Sequence, residues 1–556
     1  MNKKHFKTIA LGLLTAIMAT STVACSGRGG TLGNEENPYV DNNDKRPSMF
    51  ISVFEGGYGR KWLDKIVYDF NKTNPDNKYK LTVKANKDEF NTIMSRLQSN
   101  TLGCDIFFSN LYIYKLVNLG LVEDISSIWT SDPDDNGSTI ESIMYNASDY
   151  KKAYGDGKGG LYALPLNEGF QNFIYDHDVF LKYGLLFNEA GEFITSPTET
   201  LSKGKDGKAG TYDDGHPITE QQWQDMCIKA KQMLGYAVTY SGAFEVYLNN
   251  LYYQVFAQVD GVQAFEMNYN FEGTYDFNDG NGEIEITKEN GYLLHNMQGK
   301  KKALEFMDTY VASKDASLTK NEYVHPLAGT SGYSQTDAQD NYLLWQAQND
   351  AKKAAMLYDG DWWENEAKGM FQELEQSGYP EYAFRTRNYK FMTLPIFDGQ
   401  KARGNVYNIA ENMYVAVTKQ TDAEKKDICL DFLKFMYKDQ YIQNYTVESG
   451  GLMPYDVELT DDQKAKLSPF TQNFLEIYKD KENNEFINVN LATNIYDEKK
   501  CDSFPWMNMI TGNYVVNNML YTASAADVYK QMGTYFYDNW EKGLIGYNTY
   551  MENKKN

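Results

Sequence analysis

Residues 160–185 read GLYALPLNEGFQNFIYDHDVFLKYGL, from Gly160 to Leu185. The stretch opens as a short apolar run, Leu161–Leu166, with Pro165 near its end. A polar break follows at Asn167-Glu168-Gly169. Alternation then sets in, with Phe170, Asn172 and Ile174 on one side and Gln171, Phe173 and Tyr175 on the other. Period two over such a run is a strand signal, so two extended segments meet at a glycine-containing joint. After Asp176, Val179, Phe180 and Tyr183 fall at helical spacing, and Gly184 ends the helix. A strand that leaves one packed unit and enters another has this appearance. One long strand with a bulge is the other reading of the same letters.

Upstream, strand and helix signals alternate. Met49–Phe54 (MFISVF) is apolar and β-prone, and Glu55-Gly56-Gly57-Tyr58-Gly59 is a glycine-rich turn. Lys61–Asn71 carries Leu63, Ile66, Val67 and Phe70 on one helical face. Tyr79–Val83 is a second strand, Asp88–Ser99 a second helix, Asp105–Ser109 (DIFFS) a third strand and Tyr112–Leu119 a third helix. This alternation is an α/β unit with a mostly parallel sheet, where ligands meet the carboxyl ends of strands. Those ends are Glu55–Tyr58 and Asn110–Tyr112. The glycine turn lacks the G-x-x-x-x-G-K-[ST] spacing of a phosphate loop.

Downstream, Thr219 and Gln222 have capping-box spacing at the head of a helix running to Leu234. Helical patterns cover Ser241–Gln258 and Asn290–Ala312. Ala355–Tyr358 (AMLY) is a short strand ending at Asp359-Gly360-Asp361-Trp362-Trp363, and Lys390–Pro395 is another strand. Tyr407–Val417 is a second crossing segment that leads into a helix over Ala423–Tyr437. Glu448–Pro454, with Gly450-Gly451, marks a third break before a helical C-terminal part.

The 556 residues exceed what one core organises, so two or more domains are expected. Hydrophobic residues make up 42% and charged residues 23%, the balance of a globular protein. The formal net charge of -22 repels phosphate backbones and argues against nucleic-acid binding. Aromatic residues reach 15%, with 44 tyrosines. Most of these rings serve packing, but a ring with a polar edge is also suited to stacking on sugars.

The first residues form a targeting segment. Lys3, Lys4 and Lys7 precede the apolar Thr8–Ala24, which ends at Cys25 after Thr22-Val23-Ala24. This resembles the lipobox of bacterial lipoproteins, with Thr22 departing from the usual aliphatic residue. The resemblance implies a signal peptide over 1–24, lipidation at Cys25 and a membrane anchor. A plain secretory signal cut near Ala24 is the competing reading. Residues 25–46 have the composition of a flexible tether. Besides Cys25, the cysteines are Cys104, Cys227, Cys429 and Cys501. No CxxC spacing relates them, so no zinc signature is present, and buried free thiols are expected, with one bridge in an exported protein as the alternative.

In order, these signals resemble the family 1 extracellular solute-binding proteins of bacterial ABC importers, the sugar-binding type. The likeness is carried by the strand, glycine turn and Trp62 helix, and by DIFFSN from Asp105. It continues with YALP and YDHDVFLKYGL, similar to the family's YG-[IL]-P and YNKDLF…GL. The KAAM…DGxW segment Lys353–Trp362, the strand Leu394–Gly399, FLKF at Phe432 and the break at Gly451 complete it. The resemblance covers most of the chain after the tether. It implies a two-lobed periplasmic-binding-protein-like α/β fold (type II), with lobes joined by crossing hinge strands. The N-terminal lobe would be 47–166 with 404–447, and the C-terminal lobe 167–403 with 448–556. The implied function is capture of an oligosaccharide between lobes, without catalysis, by a monomer that delivers it to a membrane permease.

A sugar site needs aromatic platforms for C–H faces, with carboxylates and amides for hydroxyls. The expected platforms are Trp362 and Trp363, beside Asp359 and Asp361; the alternative places both in the core. Glu55 and Tyr58, Asn110 and Tyr112 lie at strand ends, and Asn167 and Glu168 at the crossing. Phe244, Glu245, Tyr247, Tyr407, Asn408, Glu411 and Trp506 are secondary candidates. Separately, Gly204–Gly215 (GKDGKAGTYDDG) places Asp206, Asp213 and Asp214 in a glycine-permitted loop that resembles calcium loops of exported proteins. Hard oxygen ligands suit a structural Ca2+, and a solvated acidic loop is the other reading. No other cofactor is expected. Two further classes remain open: a secreted carbohydrate-active enzyme, with paired carboxylates among 76 acidic residues, and a peptide-binding importer component.

Overall fold

The structure is a computed structural model that describes residues 37–54, 56–85, 95–99, 101, 103–110, 113–244, 247–312, 322–350, 353–492, 495 and 520–555. In chain order its strands are β1 (Ser48–Val53), β2 (Lys80–Ala85), β3 (Ile106–Ser109), β4 (Leu164–Pro165), β5 (Gly169–Asp176), β6 (Gly235–Thr239), β7 (Thr274–Asp276), β8 (Glu283–Glu285), β9 (Lys353–Gly360), β10 (Tyr389–Met392), β11 (Asn405–Glu411), β12 (Tyr414–Val417) and β13 (Asn484–Ile487). They form a five-stranded sheet in the order β2-β1-β3-β12-β4 and a sheet in the order β13-β11-β5-β9-β6, with β10 also paired to β5. A β7-β8 ribbon is separate.

The chain divides into two compact units. The first holds residues up to 167, with 412–449 and 453–459; the second holds 168–411, 450–452 and the chain from 460 onward. β4 and β5 therefore belong to different sheets, and Asn167-Glu168 is where the chain passes from one unit to the other, not a bulge in one strand. The second passage falls between β11 and β12. The expectation that residues 404–411 join the first lobe is corrected, because β11 pairs with β5 and β13 and stays in the second unit's sheet.

In the first unit, β1 pairs in parallel with β2 and β3, and β12 runs antiparallel to β3. Helix Lys61–Thr73 lays Trp62, Leu63, Ile66, Val67 and Phe70 on this core, with Phe70 5.3 Å edge-on from Phe432. Its apolar spacing is what the sequence showed.

In the second unit, all eight residues of β5 are buried. Its alternation distributes two sets of rings. Phe170 packs 4.5 Å from Tyr407 and 5.1 Å from both Phe391 and Phe474, while Phe173 meets Tyr358 at 5.1 Å and Trp223 at 5.3 Å. Trp223 comes from helix Glu220–Leu234, whose capping box forms as its spacing predicts: Gln222 N donates to Thr219 Oγ1 and Thr219 N to Gln222 Oε1, both at 3.1 Å. The helical pattern over 290–312 breaks at Met297 into a 3₁₀ turn, Gly291–Asn296, and an α-helix, Gln298–Tyr310. The buried carboxylate of Asp260 accepts Gly299 N at 2.8 Å and pins the start of that second helix.

Helix His177–Tyr183 follows β5 directly. Asp176 caps it, accepting Val179 N at 3.1 Å, and also takes a two-pronged bond from Arg387, Nε to Oδ2 at 2.5 Å and Nη2 to Oδ1 at 2.8 Å. Gly184 ends it with φ +61; a Cβ there would lie 2.6 Å from the Ile194 carbonyl oxygen, so glycine is required on both counts.

Candidate functional site

The carboxyl end of β9 gathers most of the chemistry in the second unit. β9 pairs with β5 so that Asn172 lies opposite Asp359 and Gln171 opposite Gly360. Trp362 folds back over Gly360, where an added Cβ would come 2.3 Å from its ring. It meets Tyr247 edge-to-face, with ring centres 6.1 Å apart and planes at 78°. Tyr247 opens helix Tyr247–Asp260 and is half-buried, whereas Trp362 is 5% exposed. Phe244 lies 6.0 Å from Tyr247 and is buried.

Three carboxylates surround this aromatic pair. Gln339 Nε2 donates to Asp359 Oδ2 at 2.9 Å and to Glu366 Oε2 at 2.8 Å, bridging the two acids. Burial, then repulsion from Glu366, pushes Asp359 up to about 8. The same two causes raise Glu411, at the end of β11, to about 7. Burial also raises Glu366, against the pull of Gln339 and Gln335. Desolvation and these three acids hold the Tyr247 hydroxyl well above its usual range.

A run of amides lies alongside. Asn408 Nδ2 donates to Asn250 Oδ1 at 2.6 Å, Asn250 Nδ2 donates to Gln171 Oε1, and Gln254 Nε2 donates to the Gln171 carbonyl at 2.8 Å. The arrangement offers rings, acceptors and amides within one unit.

Of the residues expected from sequence, Asp359, Trp362, Tyr247, Glu411 and Asn408 are brought together here. Asp361 is buried next to them, its amide donating to the Phe170 carbonyl at 3.2 Å. Trp363 is a correction. It is fully buried among Tyr389, Phe371, Phe470 and Tyr342, at 4.9 to 6.3 Å, because the turn after Gly360 points consecutive side chains in opposite directions. Tyr407 is likewise corrected to the core, between Phe170 and Phe486. Glu168 is buried and accepts the Tyr478 hydroxyl at 2.5 Å, while Asn167 in the first unit is buried and accepts Met413 N at 3.1 Å through its amide oxygen, its amide nitrogen having no partner among the described residues. Also in the first unit, Tyr58 is buried 6.2 Å from Tyr445 and Asn110 is half-buried. Glu55, Tyr112, Glu245, Trp506 and Cys25 lie outside the described residues.

Sequence reading missed Glu366, Gln335, Gln339, Asn250 and Gln171. Gln335 and Gln339 share a helical face by their spacing, but no sequence signal aims that face at β9.

The aspartates of the 204–215 loop do not converge. Asp213 accepts the amides of Lys205 at 2.7 Å and Asp206 at 3.3 Å, Asp206 accepts Lys208 N at 2.7 Å, and Asp214 accepts Gly210 N at 2.6 Å. Gly204, with φ +59, leaves room for the Asp213 carboxyl, which a Cβ would approach to 2.3 Å. Burial and Asp206 push Asp213 up to about 6. Among the described residues no group of three His, Cys, Asp or Glu side chains is placed to hold a metal ion. With each aspartate already accepting at least one backbone amide, the loop is expected to hold its shape in chelator. Melting curves with and without EDTA should superimpose, and a lower melting temperature in EDTA would contradict this geometry.

Two α/β units linked by repeated chain passages define the fold class of solute-binding proteins. Comparison with solved structures gives the same class. A protein described as a chitin oligosaccharide binding protein superposes with a TM-score of 0.54 at 12% identity, covering 90% of this chain and 100% of its own. The apo form of RafE from Streptococcus pneumoniae gives 0.52 at 13%, covering 89% and 99%. A structure from work on xylan utilization by the thermophilic bacterium Caldanaerobius polysaccharolyticus gives 0.55 at 14%, covering 88% and 99%. No curated protein gives a significant match. The sequence pattern of the bacterial extracellular solute-binding proteins matches residues 65–467, more than half of the chain, and the chain belongs to that family.

Proposed function

We propose that this protein captures an oligosaccharide outside the cell and delivers it to the membrane permease of an ABC importer. It would act as a lipid-anchored monomer held through Cys25. The observation that carries the reading is the Trp362–Tyr247 pair set among Asp359, Glu366, Glu411 and a run of side-chain amides. Sugars present apolar C–H faces and hydroxyl edges, and this combination answers both. Tyr247 is half-buried and Trp362 is 5% exposed, so Tyr247 offers the wider surface of the two. Membership of an extracellular solute-binding family supports the role, as do neighbours described for chitin oligosaccharide binding and for a raffinose complex. Capture and release make and break no covalent bond, which distinguishes this reading from a carbohydrate-active enzyme.

Calorimetry on the mature chain with a panel of plant-glycan and starch oligosaccharides is expected to give at least one binder. Trp362→Ala should weaken that ligand at least tenfold, about 1.4 kcal/mol. A panel without any binder would remove the reading, and an unchanged affinity in the variant would remove Trp362 from the site. Short peptides in the same assay test the importer's other ligand class.

A further inference from the structure

Three buried carboxylates among the described residues show how such a group is compensated. Asp176 holds Arg387, Glu123 holds Lys419 and Lys426, and Asp260 takes the Tyr275 hydroxyl and the Gly299 amide. Asp359, Glu366 and Glu411 differ. Among the described residues none of the three pairs with a lysine, arginine or histidine, and Gln339 is shared between two of them. Farther along the same helix Asp340 feels Asp337, Glu373 and Glu366, so the neighbouring charges are also negative. Asp359 is buried and Glu366 and Glu411 are half-buried, and like charges set together out of bulk water are costly unless something neutralises them.

A second observation points to a partner outside the chain. Gln335 is fully buried beside Glu366, yet neither its amide nitrogen nor its amide oxygen has a hydrogen-bond partner among the described residues; the Gln339 amide oxygen has none either. Buried amide groups left open beside carboxyl groups that have no cation form a site with unused hydrogen-bonding capacity and no positive charge of its own.

We propose that this site takes a saccharide bearing a protonated primary amine, a hexosamine unit whose ammonium lies among Asp359, Glu366 and Glu411. The proposal rests on the capture reading above and names the ligand class. An ammonium supplies three donors and one positive charge in a volume that a hydroxyl otherwise fills. Its hydrogen bonds to carboxylates are of the stronger, charge-assisted kind. Tyr247, the more exposed of the two rings, then meets the sugar, and cation attraction to an aromatic face adds to the preference. Uronic and sulfated sugars are rejected, since they would bring negative charge to three acids. The net charge of -22 draws a cation toward the protein and repels an anion.

Binding a cation also lowers the proton affinity of the acids around it. Asp359, protonated up to about 8 in the free protein, would give up its proton as the ammonium arrives. A neutral sugar would leave that proton in place.

The test is calorimetry of the full mature chain at pH 7 with β-1,4-linked glucose oligomers that differ only at carbon 2, carrying hydroxyl, acetamide or free amine, with galactosamine oligomers, the neutral panel above and oligogalacturonates. The free amine is expected to bind at least tenfold more tightly than its matched neutral counterpart. Repeated in buffers of different ionisation enthalpy, its binding should show proton release. Asp359→Asn and Glu366→Gln should narrow the amine preference, read as the ratio of amine to matched neutral affinity within each variant. A neutral or acidic saccharide binding as tightly as the amines, or binding while no amine does, overturns the proposal and leaves the capture reading standing. No binding by any saccharide overturns both. The wild-type panel decides the matter even where a variant fails to fold.

Discussion

Trp363→Ala is expected to destabilise the second unit by about 3–5 kcal/mol, the range for truncating a large buried aromatic. Trp363 has no exposed surface and is ringed by Tyr342, Phe371, Tyr389 and Phe470. Its indole nitrogen has no hydrogen-bond partner among the described residues, so its contribution is packing and burial alone. Alanine would leave a cavity that the sheet and the flanking helices cannot close without moving rings off their rotamers. Urea unfolding followed by circular dichroism measures the loss. Protein that remains folded should keep its ligand affinity, the reverse of the pattern expected for Trp362→Ala. A destabilisation below about 1 kcal/mol would contradict the packing described.

Arg387→Ala is expected to cost a similar amount, about 3–5 kcal/mol, by a different route. Asp176 is fully buried at the joint between β5 and the following helix, and the guanidinium engages both of its oxygens. Removing the guanidinium strands a buried negative charge. Asp176→Asn together with Arg387→Ala should recover much of the loss, because an amide still caps Val179 and carries no charge. The pH dependence has a definite sign. Burial already raises Asp176 above its ordinary value, and without Arg387 only the Val179 amide opposes the rise. A carboxylate whose folded pKa is raised binds its proton more tightly folded than unfolded, so stability grows as pH falls through that interval. The penalty of the single variant should therefore shrink from pH 7 toward pH 4. A penalty that grows on acidification would refute the role given to the pair.

Much of the fold was readable because its signals are local and periodic. Alternation over Phe170–Tyr175, the capping box at Thr219 and the face carried by Leu63, Ile66, Val67 and Phe70 each follow from neighbours a few residues away. The passage between units at β4 and β5 was readable for the same reason. The second passage was misplaced because Tyr407–Val417 reads as one strand. Pairing of β11 with β13, some eighty residues on, separates it into two.

The site was legible only in part. Asp359 and Trp362 sit in a recognisable run after a strand. Trp362 and Trp363 cannot be told apart by letters, since the turn after Gly360 alone decides which ring is interred. Glu366, Gln335 and Gln339 carry no motif, and only the docking of helix Gln335–Ala347 against β9 brings them to the acids.

The position of β12 has a consequence for how the molecule is made. Among the described residues of the first sheet, β12 is the strand that joins β3 to β4, yet it is encoded some 250 residues after β4. Until residue 417 has emerged, β4 has no neighbour to bond and the outer side of β3 is an open edge. The earlier-synthesised half therefore completes its sheet only after nearly all of the strands of the later half have been made, and a chain released early leaves an unfinished, adhesive border in place of an independent module.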